Sequence, residues 1–591
     1  MEWDAHRLLR YDSQTQQWVQ FIDEPLTASA AWDVQLDEEA GEKHKTGYVN
    51  FKRVIWHESF RIILDPICPF SHSDYEEQCC MSLIRGANGL FPCPVCMIPK
   101  GQLSNYAVVF PKRTGQEAQR ILREALALKN QSAREAILQQ WSLRPVQNAF
   151  LELAHSDPYQ ALSFDRLHAF HSGLFGHHYW TEFKKHVQNV SNEAVKLIDA
   201  QYNLIPRWSG LIHFNEVMGI SFTDGSKYED ISKNILFASH NVLTSTVSPA
   251  GYQLLCTLRP YLEEDTYIGL PMHTQWTLED GRFAQAAHCD QLEEYKRLTA
   301  EMEDSKNWDF PKAHTHMHAF DDIEAKGVSQ NFNTKPNEKM HRPFKEAYRL
   351  RTNHRNVASQ LLDIDHYCYA MGHMRAEIDL LKPSKETPEG DGHSPPAESI
   401  GGGHFSLAFN GFGRRLGDFL IKSYTAHNLP LPGGTSVTFP PNSKITEYRL
   451  LQVNYESLAD WRQDTDLLCC NPMFFGHPCY DCVMVKGVGG KDFFARLLFM
   501  FTCSVNGTTE PLALIQPYGT LPGPISRKDI DLGFYRLRES RRKPFEFISI
   551  HSVICGALLI PDFAKLGNYL VHDFVDSDMF LHMKALRGLS E

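Results

Sequence analysis

Apolar positions change their spacing along the chain. From Gly115 to Ser142 (GQEAQRILREALALKNQSAREAILQQWS) they recur at three and four among Ala, Leu, Glu, Gln and Arg, the pattern of an amphipathic helix. Stretches of similar texture at 164–200, 226–246, 277–303 and 337–380 predict a mainly helical middle. Residues 1–50 are mixed and acidic without a clear period, and YVNFKRVIWHESFRIILDPI reads as a helix, or as a strand followed by a helix. The segment 383–403, PSKETPEGDGHSPPAESIGGG, has almost no apolar content to bury and predicts a flexible linker. Beyond it the segments ITEYRLLQVNY, DCVMVKGV, FARLLFMFTCSV, LALIQPY and FEFISIHSVICGALLI are short, rich in β-branched and aromatic residues, and separated by Gly and Pro turns. That texture predicts a small antiparallel barrel or sandwich.

At 591 residues the chain exceeds a single core and several domains are expected. Hydrophobic content of 42% and charged content of 22% are ordinary for globular protein. A formal net charge of -12 does not favour nucleic acid as a whole-chain effect, so any such contact needs a local cluster of Lys and Arg. No apolar run is long enough for a membrane span, so no membrane partner is expected, and the opening MEWDAHRLLRYD lacks a signal-peptide core. The 14 cysteines are dispersed rather than framed as in a secreted mini-domain. A reducing compartment, cytosol or nucleus, is expected, and thiols there are free to bind metal.

Cys93-Pro-Val-Cys96 places two thiols on a tight turn, where both sulfurs can grip one Zn²⁺; ordinary turn cysteines are the alternative. His314-Thr-His316-Met-His318 puts either the outer pair on one face of a helical turn or alternate histidines on one face of a strand; a solvated His run is the alternative. A CxxC and an HxxxH in one such chain favour a shared Cys2His2 site that staples distant segments. Cys469, Cys470, Cys479 and Cys482 include a second CxxC, CYDC, but no paired histidines accompany it at a matching spacing.

Three strings, SHSDYEEQCCMSLIRGANGLFPCPVC, LSFDRLHAFHSGLF and KAHTHMHAFDDIEAKGVSQNFNTKPNEKMHRPFKEAYRLRTNHR, occur in an order that resembles the fungal Plavaka-like transposases, relatives of the CACTA (CMC) class, over roughly residues 50 to 375. The resemblance implies an α+β multidomain chain. An RNase H-like mixed-sheet core would be interrupted by a large α-helical insertion and followed by the C-terminal antiparallel β barrel or sandwich. The implied layout is an N-terminal remnant over 1–50, a first core segment with the CxxC over 51–110, and the insertion over 111–305, which includes Asp165 and His168 of DRLH. A second core segment, with the His cluster, Glu338 and a basic helix, spans 306–382. The linker spans 383–403 and the β-rich domain 404–591.

By the same resemblance Asp74 and Glu338 match two of the three carboxylates of a D-D-E triad. Such acids would hold catalytic Mg²⁺ or Mn²⁺, which suits in-line phosphodiester cleavage and strand transfer. Cys93, Cys96, His314 and His318 match a structural Zn²⁺ clip, with His316 as an alternative ligand. Arg342, Lys345, Arg349, Arg351 and Arg355 follow Glu338 on one expected helix and suit DNA phosphates. The family's first aspartate lies in a D-K-T-x-L-S string. Asp4, Asp12, Asp23 and Asp33 sit in no such string, which implies a shortened N-terminal region and impaired catalysis. The expected partner is double-stranded DNA at transposon ends, with room for a homo-oligomer, and the expected location is the nucleus. The other function this implies is a catalytically inactive, zinc-stapled DNA- or chromatin-binding protein.

Overall fold

The computed structural model describes residues 9–12, 17–22, 74–152, 157–220, 224–332, 334, 347–349, 351–352, 357–381, 406–431, 436–437, 439, 445–474, 476–487, 490–505, 508–540 and 545–588. The chain divides into two compact units, Met1–Lys335 and Pro336–Glu591. The linker expected at 383–403 lies outside the described residues, as does the YVNFKRVIWHESFRIILDPI stretch.

In the first unit, β1 (Leu9–Asp12) and β2 (Gln17–Ile22) join β3 (His273–Thr274) in a small antiparallel sheet. Helix α1 (Asp74–Met81) precedes the CPVC turn, and the predicted 115–142 segment forms the hairpin of α2 (Gly115–Ala127) and α3 (Gln131–Gln140). Side chains of Thr114 and Asn130 cap these two helices by accepting from the backbone N–H of Glu117 and Ser132. Their apolar stripe, Ile121, Ala125 and Leu138, packs with Cys79, Ile84, Leu143 and Tyr159.

The helical middle runs on through α4 (Arg166–Tyr179), α5 (Trp180–Val190), α6 (Asn192–Leu204), α7 (Gly225–Ser239), α8 (Pro249–Ile268) and α9 (Gln275–Thr299). α4 is wound as a π-helix whose first N–H groups are taken by Asp165. Gly176 lets α4 pass α7, because a Cβ there would run into the Tyr228 ring. Ser248 with Pro249 starts α8, and a reciprocal Thr274–Thr277 capping box starts α9. The histidine segment is helical too: α10 (Pro311–Thr315) passes through a 3-10 turn at His316–His318 into α11 (Ala319–Lys326). Gly281 leaves the gap in α9 that the Phe320 ring of α11 fills. A mixed sheet of the RNase H kind is not among the described residues.

In the second unit, α12 (Val357–Leu381) and α13 (Phe412–Ala426) precede an all-antiparallel nine-stranded sheet. Its strands are β4 (Ile445–Tyr448), β8 (Cys482–Val485), β9 (Phe493–Val505), β10 (Thr508–Thr520), β11 (Arg536–Glu539), β12 (Glu546–Ser549), β13 (Val553–Ala557), β14 (Leu559–Pro561) and β15 (Asn568–Val571). The main path runs β13-β8-β9-β10-β11-β15-β14. Its two end strands are consecutive in the chain with only Leu558 between them, so the sheet curls until it nearly closes as a barrel. β9 is almost unbroken apolar sequence because it is buried along most of its length. Phe499 and Phe501 of β9 pack with Leu512 and Leu514 of β10 under Leu416 and Leu420 of α13. β5 (Leu450–Glu456), β6 (Gln463–Phe474) and β7 (His477–Tyr480) make a separate antiparallel sheet. The antiparallel β-rich texture predicted from the sequence is therefore present.

Candidate metal centre and the helix of Asp74

The CPVC turn is held open as a cradle by its own backbone. Backbone N–H groups of Val95 and Cys96 both point at Cys93 Sγ at 3.4 Å. The segment then pairs back on itself, with Met97 N–H on Pro111 O and Arg113 N–H on Val95 O, each at 2.9 Å. The buried Arg113 guanidinium grips the carbonyls of Cys93 (2.9 Å) and Phe91 (2.7 Å), so the turn has no freedom to rotate its thiols away.

Onto this cradle the helical segment 311–326 lays His314 and His318, one turn apart on one face. Cys96 Sγ meets His314 Nε2 at 3.2 Å and Cys93 Sγ meets His318 Nε2 at 3.5 Å, across 218 and 225 residues of sequence. All four donor atoms lie within 4.8 Å of one another. A tetrahedral Zn²⁺ with bonds of about 2.3 Å to sulfur and about 2.0 Å to nitrogen sets neighbouring S and N donors roughly 3.5 Å apart. Donor set and spacing therefore fit zinc. Burial alone would raise the Cys93 thiol, but hydrogen bonds from Cys96, His314 and His318 hold it well below its ordinary value, toward the thiolate that a metal needs. Burial lowers His314, whereas the hydrogen bond with Cys93 pushes the Cys96 thiol up and, against burial, contact with Cys93 raises His318, so the shifts favour the ligand form at Cys93 and His314 and oppose it at Cys96 and His318.

Two further contacts tie the same segments. Tyr106 Oη donates to Ala313 O at 3.0 Å, and Leu103 N–H donates to Asp309 at 2.7 Å. His316, the alternative ligand, is not on this face. Because the segment is helical rather than extended, the middle histidine turns away and its Nδ1 meets Glu264 Oε1 at 2.8 Å. His314, His318 and the two cysteines are thus brought together, and His316 is not.

Asp74 is the first residue of α1. That helix is fastened to the cradle, since Tyr75 Oη donates to Pro92 O at 2.8 Å, next to Cys93. One turn on, Gln78 Nε2 donates to Ser163 O at 3.0 Å, just ahead of the DRLH string. Asp165 and His168 of that string form a dyad, Nδ1 to Oδ2 at 2.6 Å, and Thr334 Oγ1 joins the same carboxylate at 2.8 Å. Tyr75, Gln78, Asp165, His168, Lys312 and His318 line one small cavity. Burial would raise Asp165, yet hydrogen bonding and charge from His168 bring it below its ordinary value.

Glu338, Arg342, Lys345 and Arg355 lie outside the described residues, so the expected Asp74–Glu338 pair is not tested by the geometry. Arg349 and Arg351 are exposed, and Arg351 reaches Cys368 Sγ at 3.5 Å. In the second unit the CYDC thiols go separate ways. The free Cys479 thiol donates to Asp481 Oδ1 at 3.7 Å beside Cys469, while Cys482 faces Arg496 and Tyr518, so no four-thiol cluster forms among the described residues.

Sequence reasoning missed Glu264, His288 and Gln285 beside His316, and the buried cluster of Arg166, His171, Glu229 and Asp265. The available signal was a run of three acids, EED at 263–265, inside the mostly apolar LLCTLRPYLEEDTYIGL, whose one cation is Arg259. Charges there have to be partnered or solvated, and these are partnered.

No helix among the described residues is long and apolar enough to cross a membrane. A search of the curated proteins found no match. A family model described as Plavaka transposase matches residues 46–181, a span that contains α1, the CPVC cradle and DRLH and ends ahead of the histidines. Over that span the chain is similar to the Plavaka transposases.

Proposed function

We propose that this chain is a transposase-derived DNA-binding protein in which one structural Zn²⁺ closes Cys93, Cys96, His314 and His318 around the helix of Asp74. The observation that carries the reading is the meeting of the CxxC, inside the family-matched span, with an HxxxH more than two hundred residues on, at separations suited to zinc. Zinc with four protein ligands has no open position, so its role is to staple, not to react.

The chemistry proposed for the ancestral site is DDE-type phosphodiester cleavage and strand transfer on an RNase H-like core. Divalent cations held there would stabilise the attacking and leaving oxygens. Asp74 and Glu338 would supply the hard carboxylate oxygens that Mg²⁺ or Mn²⁺ prefers. Arg342, Lys345, Arg349, Arg351 and Arg355 would hold the phosphates of double-stranded DNA, and the place of action would be the nucleus.

A second reading, a catalytically silent zinc-stapled DNA- or chromatin-binding protein, is favoured by one observation. The aspartates upstream of Asp74 sit in no D-K-T-x-L-S string. The test is nicking of supercoiled DNA with Mn²⁺ or Mg²⁺, read beside DNA retention on a gel, for the wild type and Glu338→Gln. Slow metal-dependent nicking that Glu338→Gln abolishes, with retention unchanged, is the expected outcome for a surviving nuclease. Retention without nicking selects the silent binder. The absence of both nicking and retention overturns the DNA reading altogether.

A further inference from the structure

Glu264 is wholly buried in α8, and its two oxygens hold two different histidines. Oε1 meets His316 Nδ1 at 2.8 Å and Oε2 meets His288 Nδ1 at 2.7 Å. Gln285 of α9 donates to Glu264 Oε1 at 3.2 Å and also to the backbone carbonyl of His316 at 2.7 Å. Tyr179 Oη lies 2.7 Å from His288 Nε2. By residue type Glu264, His288 and His316 could hold a metal. Their separations point elsewhere. Oxygen and nitrogen donors around a tetrahedral ion stand roughly 3.3 Å apart for bonds of about 2.0 Å, whereas these stand at 2.7 to 2.8 Å, the length of a charge-assisted N–H···O bond. Protons, not an ion, fill the gaps.

His316 sits between the two histidines that face the cysteines. His314 turns Nε2 to Cys96, and its buried Nδ1 has no hydrogen-bond partner among the described residues. No acceptor of its own therefore fixes that ring, and its aim depends on the backbone turn that carries it. The side chain and the carbonyl of His316 are the handles by which α8 and α9 grip that turn.

We propose that Glu264, with Gln285, is a positioning residue for the zinc clip, acting through His316, and that the Glu264–His288–His316 cluster takes no metal. The proposal rests on the zinc reading above. Partners bonded directly to a metal ligand typically change metal affinity by about 10- to 100-fold when removed; Glu264 and Gln285 act one residue away, through His316, so the lower end of that range is expected.

The test uses the full chain in reducing buffer, with metal content by mass spectrometry, affinity by chelator competition, and the visible absorption of the cobalt(II) form. The expected results are one zinc per chain in the wild type, and for Glu264→Leu a loss of affinity of about 10-fold with shifted cobalt bands. Glu264→Gln recovers part of the affinity, because its carbonyl still accepts from one imidazole. Gln285→Leu loses less, in the same direction, and serves where Glu264→Leu does not fold. Two zinc ions per chain, one of them lost with Glu264→Leu, overturns the proposal. So does one zinc held equally well by Glu264→Leu and Gln285→Leu. No zinc in the wild type overturns the clip reading, and the proposal with it.

Discussion

His314 and His318 face two thiols at 3.2 and 3.5 Å, while His316, between them in the chain, faces a carboxylate at 2.8 Å. The three residues are identical in type and all buried. What separates them is the helical period, which puts the outer pair on one face and turns the middle residue away. The faces then meet opposite chemistry. Soft, wide-set sulfur and nitrogen donors suit an ion, whereas a carboxylate within hydrogen-bond range of two imidazoles suits protons. Histidine count and burial do not identify a metal site; donor identity and separation do.

Metal removal should break the comparison most severely. Structural Zn²⁺ contributes apparent binding energies of about 10 to 16 kcal/mol that act as folding energy. A strong chelator, or Cys93→Ser with Cys96→Ser, should therefore abolish hydrogen-exchange protection in residues 93–113 and 311–326, and leave that of β9 and β10 unchanged. Protection in 311–326 that survives complete metal loss would show that contacts such as Tyr106 to Ala313 suffice, and that the clip is dispensable.

Next in size is a cluster that resembles neither of the first two. Arg166 is bidentate on Asp265, at 2.7 and 2.8 Å, and also reaches Glu229. Arg166→Met removes the bidentate partner of buried Asp265, leaving it to His171, and leaves Glu229 to Lys233 and His171, which should cost about 3 to 5 kcal/mol in urea unfolding, with zinc affinity unchanged. Burial would raise the Asp265 carboxyl, but Arg166 and His171 hold it well below the ordinary carboxylate value. A group lowered on folding stabilises the protein above its unfolded pKa, about 3.9 for aspartate, and that stability is lost as pH falls through the lowered folded value. In Arg166→Met the Asp265 carboxyl is no longer held down, the gap between its folded and unfolded pKa narrows, and less stability should be lost on acidification than in the wild type. An unshifted acid profile would mean that the ion pair does not set it.

The smallest effect sharpens the second cluster alone. Tyr179→Phe removes the hydroxyl at His288 Nε2 and leaves a buried ring nitrogen unpaired, a loss of about 1 to 3 kcal/mol. Because His288 does not touch the ligand turn through the backbone as Gln285 does, zinc affinity should stay at its wild-type value. A parallel loss of zinc affinity would show that the two clusters are one unit.

The features that were legible in the sequence were those where one local period decides the outcome. HxxxH at 314 and 318 commits both rings to one face once the segment is helical, and CPVC commits two thiols to one turn, so the meeting needed no knowledge of the long intervening chain. The 115–142 hairpin followed from its stripe, and β9 from its continuous apolar run. The role of Glu264 was not legible although the EED run marks the place, because acids in a helix read as a solvated face until the helices that cover them are known. The role of His316 was open for a related reason: strand and helix place it on opposite sides, and the histidine string itself favours neither. Glu338 and most of the basic run lie outside the described residues, so the catalytic half of the reading rests on the resemblance and on the matched span.

The most direct measurement is zinc K-edge X-ray absorption on the full chain purified under reducing conditions. The account predicts a four-coordinate shell of two sulfurs at about 2.3 Å and two nitrogens at about 2.0 to 2.1 Å, with the sulfur scattering gone in Cys93→Ser/Cys96→Ser. A shell of nitrogen and oxygen alone in the wild type would place the metal away from the cysteines and contradict it.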